Sequence, residues 1–197
     1  MHPDKRTRLS PVARRTQLIE LGAEMLATRR LEEISVEEIA DRAGISRGLL
    51  FHYFASKQDF HLAVVTKMAD AMLERTAPDL SLAPLDALSA SLSAYIDFVS
   101  ENRDGYVSLL RGAASGDATL RKVFDDTRTE MANRTLSQTP VLGIPTGPRT
   151  RMAVRGWIAF TEEVVINWLS DEELPRAELV SLISGALPAL LQDAAPE

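Results

Sequence analysis

Apolar positions recur along this chain with a period close to 3.6, the repeat of an amphipathic helix. From Val12 to about Thr28, Leu18, Gly22, Met25 and Leu26 share one face, with charged residues opposite. Ser35 then precedes Val-Glu-Glu, so Ser35-x-x-Glu38 predicts a capping box, in which each side chain meets a backbone N–H at a helix start. That helix should end near Ala43, because Gly44 suits a left-handed C-terminal turn. Ser46 is placed to cap a short helix ending near Phe54, and Ser56 opens a longer one running toward Arg75. Further helical segments are predicted near 84–101, 103–114, 117–137, 148–170 and 175–193. Pro188 inside the last of these should kink it or interrupt its hydrogen bonding. SQTPVLGIPTGP (137–148), with three prolines and two glycines, reads as a loop. No stretch alternates with a strand period over a useful length, and Val141-Leu142-Gly143-Ile144 is short and flanked by prolines. The predicted class is all-α.

Pro78 and Pro84 punctuate the chain. Residues 1–55 are expected to form a small three-helix unit. Residues 56–197 are expected to form a larger helical body, with the helix 56–76 connecting the two. At 197 residues, 45% of them hydrophobic and 25% charged, the chain has the length and composition of a globular protein with a sizeable core. It has no cysteine, which excludes disulfides, thiolate metal sites and thiol nucleophiles. His2, His52 and His61 have no metal-ligand spacing, so no metal or cofactor is expected. MHPDKRTRLSP lacks the apolar run of a secretory signal, and no segment approaches the ~18 apolar residues of a membrane span. A cytoplasmic protein without membrane contact is expected.

The net charge of −6 is unevenly spread. Residues 1–76 hold 12 Lys and Arg against 11 Asp and Glu, whereas residues 77–197 hold 10 against 17. At a Debye length of ~8–10 Å, a phosphate responds to the local patch rather than to the distant acidic half. The first fifteen residues carry Lys5, Arg6, Arg8, Arg14 and Arg15 against Asp4. The arm before Ala13 reads as a solvated tail or, alternatively, as a segment that reaches a minor groove. The chain lacks a G-x-S-x-G elbow, a phosphate-binding G-x-x-x-x-G-K-[ST] loop and a spaced His/carboxylate set. The adjacent pairs Asp125–Asp126 and Glu162–Glu163 diverge by ~100° on a helix and make no two-carboxylate site. An enzyme is not expected.

VEEIADRAGISRGLLFHY (36–53) carries more information. Ala40 allows close helix crossing, Gly44 turns the chain, and Ile39, Ile45 and Leu50 pin the second helix against the first. Ser46, Arg47, Leu49 and Tyr53 are then left facing outward, as in a helix-turn-helix whose second helix enters the major groove. Arg47 suits a guanine edge and Leu49 a thymine methyl, while Ser46, at a helix N-terminus, Tyr53 and Lys57 suit phosphates.

GISRGLLFHYFASKQDF (44–60), with RRTQLIELGAEMLA (14–27) and ISVEEIADRAG (34–44), resembles the signature of the TetR family of bacterial regulators. Over the remaining residues the resemblance is one of helical layout, in RGWIAFTEEVVINWL (155–169) and the closing helix. It implies a homodimeric transcriptional regulator, a repressor, that binds a near-palindromic double-stranded DNA operator and is released by a small-molecule effector. By position, Arg47, Gly48 and Leu49 fall where the family reads bases. Ser35, Val36, Ser46, His52, Tyr53 and Lys57 fall where it meets phosphates or nearby groups. Two departures stand out. Relatives often place at position 36 a threonine whose hydroxyl binds phosphate, a bond Val36 cannot donate. Leu49 replaces a frequent Thr or Ala. The alternative is a helical protein-interaction adaptor that keeps the corner without reading DNA.

In the C-terminal part, 156–169 and 178–191 are apolar nearly all round, which predicts helices buried between the core and a second subunit. Tyr95, Phe98, Tyr106, Phe124, Met131 and Trp157 lie on segments expected to converge on a ligand pocket, with Arg128, Thr161, Glu162 and Asn167 as polar anchors. A carboxylate such as Glu162 in an apolar helix calls for a partner: a cationic ligand, an internal arginine such as Arg128 or Arg155, or solvent.

Overall fold

The computed structural model describes residues 9–113, 117–171 and 173–192. Among them are nine α-helices and two 3-10 turns, and no strand. Helix α1 (Pro11–Leu26) is capped by Ser10, whose hydroxyl oxygen accepts the Ala13 N–H at 3.2 Å, and it buries Leu18, Gly22, Met25 and Leu26. A 3-10 turn (Leu31–Glu33) leads to α2 (Val36–Ala43), whose first turn is held by Ser35 Oγ accepting the Glu38 N–H at 3.1 Å. Only this half of the expected capping box forms. The Glu38 carboxylate is engaged by Arg29 at 2.9 Å and Arg42 at 3.0 Å, stronger partners than a backbone amide.

Gly44 follows with φ +64°, and the Ile45 N–H donates back to Ala40 O at 3.0 Å, closing α2 with the left-handed turn that glycine adopts without strain. Helix α3 (Arg47–Tyr53) is capped by Ser46, and α4 (Lys57–Arg75) by Ser56. Leu18, Leu26, Ile34, Ile39, Leu50, Phe54 and Phe60 are each at most 1% exposed and form the core beneath these helices, with Phe54 and Phe60 edge to face at 5.1 Å.

Helix α4 packs against α1 on one side and against α5 (Pro84–Glu101) and α7 (Ala118–Gln138) on the other. Arg75 forms an ion pair with Glu101 of α5, and Arg134 of α7 donates to Leu73 O at 2.6 Å. The short α6 (Arg103–Ala113) abuts the end of α1 at Gly105, where a Cβ atom would lie 1.9 Å from Leu26 O.

The bundle is completed by α8 (Pro148–Asp171) and α9 (Arg176–Leu191). Trp157 Nε1 donates to Ile183 O at 2.8 Å and ties α8 to α9, while Arg176 pairs with Asp97 at 2.6 Å and ties α9 to α5. Helix α9 continues through Pro188 instead of ending there; lacking an N–H, this proline leaves Ser184 O without its usual helical donor. The loop expected over 137–148 is shorter: Ser137 and Gln138 still belong to α7, Thr139–Leu142 form the second 3-10 turn, and only 143–147 are irregular before Pro148 opens α8. Among the described residues no helix is long and apolar enough to cross a membrane.

Candidate nucleic-acid interface and internal cavity

The N-terminal surface is set by the crossing of α2 and α3. Leu50 is wholly buried, so the opposite side of α3 faces outward: Ser46, Arg47, Gly48 and Leu49 are all exposed, with Leu49 at 40%. The Ser46 hydroxyl oxygen accepts the Leu49 N–H at 3.2 Å, and its O–H remains able to donate. The Arg47 guanidinium lies 5.5 Å from the Phe51 ring centroid, and its Nε is 3.1 Å from Glu37 Oε1. His52 is exposed and stands edge-on to the half-buried Tyr53. Lys57 Nζ lies 3.5 Å from Glu32 O, beside the same surface.

Val36 is corrected. Its side chain is 3% exposed and belongs to the core, because the face of α2 that carries Ile39 and Ala40 also carries position 36. Ser35 is half-buried and spends its oxygen on the Glu38 N–H. Lys5, Arg6 and Arg8 of the basic arm lie outside the described residues. Arg14 and Arg15 are on α1, where Arg14 reaches Gln17 at 2.7 Å and Arg15 stacks over Phe54 at 4.9 Å. Glu37 was missed. No sequence signal pairs it with Arg47, since the contact depends on how α2 and α3 cross.

The second feature is a cavity of about 420 Å³ in the C-terminal bundle, walled by the end of α4, by α5, by the second half of α7, by the 139–144 turn, and by α8 and α9. Tyr95, Met131, Trp157, Thr161 and Glu162 line it, as the sequence anticipated. Phe98, Tyr106, Phe124 and Arg128 do not. The cavity meets α5 only as far as Tyr95, whose hydroxyl is hydrogen-bonded at 2.7 Å to that of Tyr106. Tyr106 and Phe98 are buried core residues that do not line the cavity. Along α7 the cavity begins at Met131, past Phe124 and Arg128. Asn167, the remaining expected polar anchor, is exposed and donates from Nδ2 to Glu163 Oε1 at 3.1 Å instead. Burial, and after it the neighbouring Tyr106, pushes the Tyr95 hydroxyl well above its ordinary range; burial does the same to Tyr106, so both stay neutral.

Glu162 finds its partner inside the chain. Arg128 Nε lies 2.9 and 3.0 Å from its two oxygens, and Nη2 lies 2.6 Å from Oε2. This pairing holds the Arg128 guanidinium more firmly protonated than usual. Of the three partners open to this carboxylate, the internal arginine is the one present, and no cationic ligand is needed to account for it. Ser91 and Arg134, two cavity residues the sequence did not single out, belong to amphipathic helices whose rotation about the cavity only the packing reveals.

Comparison with known proteins agrees with this layout. Residues 18–64 match the family described as "Bacterial regulatory proteins, tetR family", and residues 84–187 match "Tetracyclin repressor-like, C-terminal domain". The HTH-type transcriptional activator FasR of Mycolicibacterium smegmatis is 27% identical over 170 residues, covering 84% of this chain and 76% of that protein. The HTH-type transcriptional repressor KstR2 of the same organism is 34% identical over 133 residues, covering 66% of this chain and 63% of its own length. The crystal structure of a tetR-family transcriptional regulator from Streptomyces coelicolor superposes with a TM-score of 0.84 at 30% identity, covering 94% of this chain and 83% of that one. The exposed second helix of a helix-turn-helix, the helical bundle behind it and these matches across both parts make the chain a member of the TetR family of bacterial transcriptional regulators.

Proposed function

We propose that the protein is a repressor that binds a near-palindromic operator as a homodimer and is released by a small molecule held in the C-terminal cavity. The observation that carries the reading is the outward row Ser46–Arg47–Gly48–Leu49, anchored from beneath by Leu50. In this reading Arg47 and Leu49 read base edges, Gly48 lets the backbone approach the groove, and Ser46, Tyr53 and Lys57 hold phosphates. His52 and Ser35 lie on the flanks. Residues 1–55 act as the DNA module and 56–197 as the effector and dimer body, with α4 between them.

The second copy would seat on α8 and α9. Gly156, Ala159 and Phe160 of α8 and Ser181, Leu182, Gly185 and Ala189 of α9 face outward, with Leu182 and Leu190 about half exposed. Such a patch of small and apolar residues suits an isologous four-helix contact that sets two recognition helices one turn of B-DNA apart. The effector acts through α4, whose last turn is gripped by Arg134 from the cavity wall and by Glu101 of α5. A ligand that prefers one tilt of α4 shifts DNA affinity by its differential affinity for the two states, typically ~1–3 kcal/mol.

Footprinting on the intergenic DNA beside the protein's own gene tests the reading. A protected, near-palindromic site with steep salt dependence is expected. Weak, equal binding of all sequences would favour the adaptor alternative.

A further inference from the structure

The cavity's walls are largely apolar: Leu88, Leu92, Ile144, Ile158, Leu187 and Leu191 supply most of them. Its polar groups are almost all committed elsewhere. Two charged side chains reach the wall, and both are occupied. Glu162 is held by Arg128, and Arg134 donates from Nε to Glu130 at 2.9 Å and from Nη1 to Leu73 O at 2.6 Å. The lining threonines donate to carbonyls of their own helices or the preceding turn: Thr76 to Met72 O, Thr135 to Met131 O, Thr139 to Leu136 O and Thr161 to Trp157 O. The Trp157 indole N–H is spent on Ile183 O, and the Tyr95 hydroxyl on Tyr106. One group remains. Ser91 Oγ, on the α5 wall, is the buried side-chain oxygen that has no hydrogen-bond partner among the described residues.

A ligand charge placed here would lose its hydration without meeting a free counter-charge, a costly transfer. A single oxygen placed against Ser91 would instead satisfy a hydroxyl that is otherwise left unpaired. We infer that the cavity takes a mainly apolar molecule whose buried part is uncharged and presents one hydrogen-bonding oxygen to Ser91. Its mouth, where Leu85 and Leu142 line the cavity while remaining 51% and 45% exposed, suits entry of such a molecule. This inference deepens the proposal above and rests on reading the cavity as the effector site.

The test uses three probes that share a ten-carbon chain and differ at one end: decan-1-ol, decanoate and decylammonium. The chain has two tryptophans, so a Trp168→Phe background leaves Trp157, on the cavity wall, as the fluorescent reporter. Decan-1-ol is expected to bind about tenfold or more tightly than either ion. Ser91→Ala should weaken the alcohol about fivefold, one net hydrogen bond, while leaving the ions' binding unchanged and the empty protein at least as stable. Equal or tighter binding of either ion overturns the inference, as does an alcohol affinity indifferent to Ser91→Ala. Preference for the alcohol without any loss of operator binding upholds the cavity's chemistry and overturns the effector reading. Failure of all three probes to bind overturns both.

Discussion

In the free protein Arg47 is drawn toward Glu37, with Nε 3.1 Å from Oε1, and in the proposed complex it must turn away to reach a guanine edge. In that reading Glu37 competes with DNA for Arg47 and places a negative charge beside a phosphate backbone. Glu37→Gln removes both effects while keeping the side chain's shape. The Arg47 and Glu37 side chains are 63% and 53% exposed, which puts the pair in the solvent-screened range of about 0.3–1 kcal/mol. A dimer releases two such pairs, so operator affinity should rise about 3- to 30-fold. The gain should shrink toward high salt, where exposed charges are screened. Glu37 lies in the first turn of α2, so removing its charge costs the folded protein both the pair and the helix-dipole contribution, about 0.6–2 kcal/mol together. The measurement is fluorescence anisotropy on the footprinted operator, with Arg47→Ala and the double variant completing a cycle. Arg47→Ala alone should cost about 1–3 kcal/mol per contact. If Glu37→Gln weakens binding, the carboxylate orients Arg47 for the groove instead of restraining it. If the gain survives undiminished in the Arg47→Ala background, the ion pair is irrelevant to recognition.

Gly105→Ala should destabilise the protein by about 1–3 kcal/mol, seen as a lower urea midpoint, because the added Cβ lies 1.9 Å from the backbone oxygen of Leu26 and outweighs alanine's better helix propensity. His61 donates its Nε2–H to Ile34 O at 3.0 Å, and burial holds its pKa below the ordinary imidazole value. The unfolded chain then binds the proton more readily, so this stability is complete above about pH 6.5 and declines as pH falls toward the lowered folded value; His61→Gln should flatten that slope in thermal melts between pH 7.5 and 5. Leu182→Arg in the outward face of α9 should convert a dimer to a monomer by light scattering and abolish footprinting; a persistent dimer would move the interface elsewhere. Arg134→Leu cuts the bond to Leu73 O, so it should change effector affinity for the free protein less than about threefold while reducing effector-driven operator release toward none; unaltered release would exclude this route.

The limits of the helices were largely legible because they are decided locally. Ser35, Ser46 and Ser56 each accept an N–H three residues ahead, and Gly44 takes the one conformation that both ends α2 and starts the turn. A hydroxyl or a missing Cβ acts within its own turn, so neighbouring residues suffice to predict it. The outward row of α3 was legible for a related reason: with Ile39 and Leu50 fixed inward, the helical period dictates what faces away. Pairings between helices were a different matter. Arg128 and Glu162 are 34 residues apart, and whether the carboxylate turns to Arg128, to Arg155 or to a ligand depends on the rotation of α7 against α8. The same rotation decides that Met131 and not Phe124 reaches the cavity, and that Ser91 lies within it.

Val36 shows the converse error. A role transferred by position assumes that the side chain at that position faces the surface, yet valine carries the hydrophobic surface that draws a helix face inward. Threonine at such a site keeps a hydroxyl at the boundary, whereas Val36 goes into the core with Ile39 and Ala40 and gives up the phosphate bond. Whatever phosphate grip is lost there must come from neighbours whose polar atoms remain outside. Ser46, Tyr53 and Lys57 meet that condition in the proposed interface, which concentrates the backbone-holding contacts around α3 and the start of α4 rather than on α2. An interface weighted this way should tolerate change at position 36 as a matter of stability and respond to change at Lys57 as a matter of salt dependence.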